Sequence, residues 1–203
     1  MAQPAIVVDG RGGLPDEICR QLRLAGAARV HGGAYAADAA ESLLGHDPRE
    51  RPAAVVLVGR RTVAVDATLP WHRAGVVHLP VTCDGRTAVV GPLVVPGLGA
   101  CWRCHALTAH DLDSIGAPCT RHASLDHVPL PTGSLGVLTA AVATTVVLAA
   151  TAGATHLAGV STDIDVTGPS VVHRHWGRHP LCTQCAPQVA PSRAQGSQDT
   201  MAG

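Results

Sequence analysis

Two short phrases, CWRC at residues 101–104 and CTQC at residues 182–185, each place a pair of thiols close together. Two sulfurs at that spacing share one metal ion. Two such pairs supply the four soft ligands of a closed, tetrahedral zinc site. Cys101, Cys104, Cys182 and Cys185 are therefore the candidate metal ligands, and zinc the candidate cofactor. Pro96 and Gly97 stand ahead of the first pair and His179-Pro180 ahead of the second. These residue types suit the tight turns of a metal knuckle. A four-sulfur site leaves no open position on the metal, so its role would be structural. The competing chemistry for two Cys-x-x-Cys pairs is thiol–disulfide exchange or metal handling.

Other residues could also do chemistry. Cys119 sits beside Arg121 and His122, cations that lower a thiol pKa. It is the one candidate nucleophile; no other catalytic residue is indicated. His105, His110, His122 and His127 are scattered through a polar stretch, either as metal ligands or as loop histidines. Gly10, Gly12 and Gly13 follow a short apolar run, as a phosphate loop or an empty strand-to-helix turn would. His173, Arg174, His175, Trp176 and Arg178 form a cationic-aromatic run. Strand alternation puts His173 and His175 on one face and Arg174, Trp176 and Arg178 on the other. The second face could grip an acidic peptide or carry stacked Arg–Trp pairs.

Composition narrows the choices. The chain has 203 residues, 46% of them hydrophobic, enough for one domain with a real core or two small ones. Aromatics are 2% and there is no Phe, so the core is Val, Leu and Ala. Basic and acidic residues balance at 15 each, with no cationic excess for nucleic acid or a membrane surface. Every basic residue is Arg, which excludes lysine-dependent chemistry such as Schiff bases and P-loops. The first residues, MAQPAIVVDG, do not read as a secretory signal. A reducing cytoplasmic setting follows, where paired cysteines favour metal over disulfide.

The elements that must position these residues can be read along the chain. AIVVD (5–9) reads as a buried strand, GRGG (10–13) as a glycine loop and LPDEICRQLRLAGA as a helix with Leu14, Ile18 and Leu22 on one face. Cys19 on that helix and Cys83 on a later strand read as core thiols. ARV (28–30) is expected as a second strand, AADAAESLLG (36–45) as a helix closed by Gly45, and AAVVLVG (53–59) and VVHLPV (76–81) as further strands. Alternation of strands and helices argues for a parallel α/β sheet. Asp84-Gly85 marks a hairpin, and STDIDV and SVVHRHW flank TGP as a second one. Residues 105–132 read as a long, mobile crossover. Residues 133–153 are uncharged and long enough to span a membrane, but are diluted by Gly, Ser and Thr. They are expected as a helix buried in a core or a subunit interface. Residues 187–203 read as a disordered tail.

This order of parts resembles the E1-like, ThiF-type family, and most closely its ocin-ThiF-like branch. The resemblance is carried by the GRGGLP loop, the GPLVVPGLGACWRC segment, the Ala/Val-rich helix and the terminal RHPLCTQC. It spans about residues 4–186, a single domain. It implies a Rossmann-like α/β fold whose C-terminal β-hairpin portion is tied by the four-cysteine zinc site. It also implies a role in ribosomal peptide natural product biosynthesis. The partners would be a precursor peptide and a YcaO-type cyclodehydratase.

The chain departs from the family's active pattern. Pro15 stands where the last loop glycine belongs. ARVHGGAY offers no acid for ribose hydroxyls, and no lysine exists for the phosphates. Asp66 is seven residues beyond Gly59, too far for the usual metal-holding acid. Each loss removes stabilisation of a polyanion. The expectation is a non-catalytic scaffold with a vestigial nucleotide loop at Gly10, Gly12 and Gly13. One alternative is an active adenylyltransferase or sulfur-transfer enzyme using Cys119; another is a CxxC redox or metal-handling protein. The first strand opens at residue 5, so peptide recognition is expected from the sheet face, the crossover or another subunit. A homodimer, or a heterodimer with a second E1-like protein, is expected through the 133–153 helix.

Overall fold

The computed structural model describes residues 4–115 and 133–185. Cys119 and the 187–203 tail lie outside the described residues. One seven-stranded sheet organises the rest. The strands are β1 (Ile6–Asp9), β2 (Val30–Gly33), β3 (Ala54–Gly59), β4 (Val77–Cys83), β5 (Thr87–Val90), β6 (Val160–Asp165) and β7 (Ser170–His175). The helices are α1 (Gly13–Leu24), α2 (Ala36–His46), α3 (Val65–Arg73), α4 (Trp102–Ser114) and α5 (Ser134–Thr151).

Strand order is β2-β1-β3-β4-β5-β6-β7. The first four are parallel and the last three join antiparallel. The parallel strands β1 and β3 are near-continuous apolar runs, as strands covered on both faces must be. One core packs α1 and α5 on the sheet through Ile18, Leu22, Val8, Val56, Val81, Ala140 and Val147. The other lies on the opposite face, with Val55, Leu57, Trp71, Trp102, Trp176 and three of the paired cysteines.

Local chemistry explains the elements. In α1, Leu14, Ile18 and Leu22 recur at helical spacing and are buried, and Pro15 fits the first turn. The β4–β5 hairpin turns at Asp84-Gly85: the Asp84 carboxylate accepts the N–H groups of Arg86 and Thr87 at 2.9 and 2.8 Å, and Gly85 takes φ +91°. Asp165 does the same at the β6–β7 turn, accepting the Thr167 N–H at 2.7 Å.

The structure corrects several expectations. The second strand is Val30–Gly33 rather than 28–30, because its partner β1 sets the register through Ile6↔Val30 to Asp9↔Gly33. Gly45 does not close α2, which runs on to His46. The first part of the presumed mobile crossover is helical: α4 carries Trp102, Cys104 and His105 inward. α5 is long and apolar enough to cross a membrane, with mean hydropathy 1.8. It packs its Leu135, Thr139, Ala140, Ala143 and Val147 side inward, against α1 and the sheet.

Candidate metal centre and glycine loop

The two cysteine pairs arrive from opposite directions. Cys101 is the residue before α4, and Cys104 lies one turn into it. Cys182 and Cys185 sit in turns after β7. Three latches bring the second pair to the first. Trp176 donates its indole N–H to Ser161 Oγ at 2.9 Å. Arg178 donates to the carbonyls of Gly99 and Gly97 at 2.9 and 2.7 Å. His179 Nε2 meets the Asp111 carboxylate at 2.8 Å.

All four Sγ atoms lie within 4.8 Å of one another, and three of the four residues are buried. Sγ–Sγ distances include Cys101–Cys182 at 3.5 Å, Cys104–Cys185 at 3.6 Å and Cys101–Cys104 at 3.8 Å. Four sulfurs about 2.3 Å from a central zinc stand about 3.8 Å apart in a tetrahedron. The cluster matches that spacing, so the four sequence-predicted ligands could hold a metal ion such as zinc. All four are free thiols rather than disulfides. Burial raises the pKa of Cys101 and Cys185. Burial acts the same way on Cys104, but backbone hydrogen bonds at His179 and Cys101 outweigh it and lower its pKa. Four thiols so close together, three of them buried, become four thiolates only with a cation among them.

The histidines divide. His105 is buried in α4, stacked on Trp102 at 4.5 Å and edge-on to Trp176 at 4.3 Å. Both of its ring nitrogens lack a partner, and burial lowers its pKa to about 4. It is a core ring, and none of the other histidines joins the cysteine cluster among the described residues. Trp176 is buried, so it does not stack with arginine on an open face as alternation suggested. Arg174 instead pairs with Asp163 on the neighbouring strand. Cys19 and Cys83 are buried core thiols, as expected.

Sequence reasoning missed His78. It is 1% exposed, bonds the Val76 carbonyl through Nδ1 and leaves Nε2 unpartnered. Nothing in the apolar run VVHLPV separates a buried histidine from an exposed one. The Arg178 latch was also missed, because a backbone-capping arginine has no sequence signal of its own.

At the glycine loop, Gly10 has φ +152° and Gly12 φ +94°. A Cβ on Gly10 would sit 2.9 Å from Val58 Cβ and 3.4 Å from the Pro15 ring, so its glycine is demanded by packing on β3. A Cβ on Gly32 would sit 2.3 Å from Cys19 Sγ, so β2 also passes too close to α1 for a side chain there. The Asp9 carboxylate accepts the Ala37 N–H at 3.1 Å, at the first turn of α2. Arg11 lies over the Tyr35 ring, 5.0 Å from its centre, and bonds its hydroxyl. Asp66 sits in the first turn of α3. A cavity of about 260 Å³ opens beyond β3 and β4, and its lining includes Arg61, Thr62, Thr82, His105 and Asp113, with Asp66 not among them.

No family model matches the chain, and no curated protein is similar to it in sequence. Solved structures share its fold. MccB of E. coli, in a complex with succinimide, aligns with TM-score 0.62 at 15% identity, over 90% of this chain and 66% of MccB. MccB with AMPCPP and MccA aligns equally well, over 91% of this chain and 67% of MccB. A heterocyclase in complex with substrate and cofactor aligns with TM-score 0.58 at 14% identity, over 90% of this chain but 25% of the heterocyclase. The chain thus spans about two thirds of MccB and a quarter of the heterocyclase, and it has the mixed α/β fold common to both.

Proposed function

We propose that the chain is a non-catalytic, zinc-stabilised E1-like scaffold in ribosomal peptide natural product biosynthesis. It docks a precursor peptide and a modifying enzyme such as a YcaO-type cyclodehydratase. The observation that carries this reading is a pairing of features. The fold is shared with a peptide-biosynthetic enzyme and a heterocyclase, while the glycine loop is packed on its own chain. The cysteine cluster supports a structural zinc that fastens the C-terminal hairpin to α4. Free thiols throughout the described residues fit a cytoplasmic protein.

ATP has little to hold it here. The loop has Pro15 in place of a glycine, β2 ends in Gly32-Gly33 without an acid, and there is no lysine. The scaffold works as a dimer, with itself or with another E1-like chain. Val137 and Leu138 of α5, 52% and 40% exposed, mark the face that would be covered.

The deciding experiment combines two measurements. ATP–pyrophosphate exchange should be absent. Co-expression with a YcaO-type cyclodehydratase and its precursor peptide should yield a complex and raise cyclodehydration. Exchange activity would instead establish the adenylyltransferase, with Cys119 acting only after the adenylate has formed.

A further inference from the structure

The sheet has two edges, and the chain treats them differently. At one edge β2 is four residues long and ends in Gly32-Gly33. Short, glycine-bearing edges pair poorly with incoming strands. At the other edge β7 runs six residues in an unbroken ladder with β6, from Val160↔His175 to Asp165↔Ser170. Among the described residues no strand or bridge lies beyond it. All six residues are exposed, Val171 and Val172 at 51% and 45%. In an antiparallel ladder alternate residues turn their N–H and C=O away from the neighbour. The outer side of β7 is therefore an open row of donors and acceptors. Proteins blunt such rows with lysine, proline or a bulge. This chain has no lysine, Pro169 stops short of the strand, and the ladder skips no residue.

The side chains along the edge select its occupant. Val171 and Val172 make the first half apolar; His173, Arg174 and His175 make the second half basic. No acid occurs from Val166 to Leu181. The nearby acids are on β6: Asp163, which takes the Arg174 Nε–H at 2.5 Å, and Asp165, opposite Ser170. A second copy would bring the same basic run and no carboxylate. The complementary strand carries apolar side chains opposite the valines and carboxylates opposite His173–His175.

We propose that the β7 edge, Ser170–His175, takes an extended peptide with an acidic half and an apolar half as an eighth strand of the sheet. The proposal rests on the peptide-docking reading above and supplies its docking site. Main-chain hydrogen bonds give such a complex its affinity, and the alternating side chains its selectivity.

The test uses the full-length, zinc-loaded chain. The probe is a fluorescein-labelled peptide whose core is three glutamates followed by three valines. Its control is the same peptide N-methylated at alternate residues. Hydrogen–deuterium exchange should be fast at the outward-facing amides of 170–175 in the free chain and slow with the probe. Fluorescence anisotropy should show binding that weakens at least about tenfold for the methylated peptide, which has lost several main-chain donors. Val172→Lys should weaken it similarly while keeping zinc content and melting temperature. Equal binding of the methylated peptide, or binding without change at 170–175, would overturn the proposal. So would protection of those outward-facing amides already in the free chain, which means the edge is covered without the probe. ATP–pyrophosphate exchange by the chain would sink the scaffold reading, yet leave probe-dependent protection of β7 intact.

Discussion

The Sγ atoms of Cys101 and Cys182 lie 3.5 Å apart, although 81 residues separate them in the chain. Their partners Cys104 and Cys185 are 3.6 Å apart. The start of α4 and the turns after β7 are thereby joined at one point.

Purified protein should contain about one zinc per chain by elemental analysis. Cys182→Ser should lose the metal and most of the stability, because the three remaining sulfurs are then left without their cation. A metal-free wild type that melts as cooperatively as the zinc form would refute the structural role.

Titration calorimetry with Mg²⁺ and ATP should register no binding at micromolar concentrations. Gly10 is packed against Val58 and Pro15, β2 ends in Gly32-Gly33 without an acid, and there is no lysine. Micromolar affinity would restore the adenylyltransferase reading.

On α5 the choice of substitution decides what is learned. Val147 is 0% exposed and Val146 packs against the same core, so Val147→Asp should unfold the chain by burying an unpaired charge. Val137 and Leu138 point outward, and Val137→Asp with Leu138→Asp should instead yield a folded monomer. Light scattering is the readout. A wild type that is already a stable micromolar monomer removes the dimer and leaves α5 as a core helix.

Burial lowers the His78 pKa from its ordinary value near 6.5 to about 4. Below about pH 6.5 the unfolded chain takes up a proton that the folded chain refuses until about pH 4. Stability should therefore fall as pH drops through that window, and His78 should not contribute to the slope above it. The loss from this residue is at most about 3 kcal/mol. Urea unfolding between pH 4 and 7 should show a shallower acid slope for His78→Phe than for the wild type. Identical slopes would mean the histidine is protonated in the fold.

The cysteine cluster was legible because two Cys-x-x-Cys pairs form a short, rigid code, and both hairpins because Asp-Gly and Thr-Gly-Pro turns leave few alternatives. What escaped was whatever depends on a distant neighbour. Residues Val30–Gly33 form a strand despite two glycines because β1 lies beside them. α4 looked like a polar loop because its buried residues are few: Trp102, Cys104 and His105. Period-two alternation put Trp176 opposite His175 but could not say which face was covered; His105 and Ser161 cover it.

Each Cys-x-x-Cys pair alone is only a two-toothed chelator. Folding of the sheet raises the local concentration of one pair around the other, so the tightness of a metal bound there would be borrowed from the stability of β6, β7 and α4. The coupling runs both ways. Any change that loosens the Trp176–Ser161 or Arg178–Gly97 latch should leak zinc to a competing chelator before it melts the protein. The rate of that leak would make the metal a built-in gauge of how firmly the C-terminal hairpin is seated.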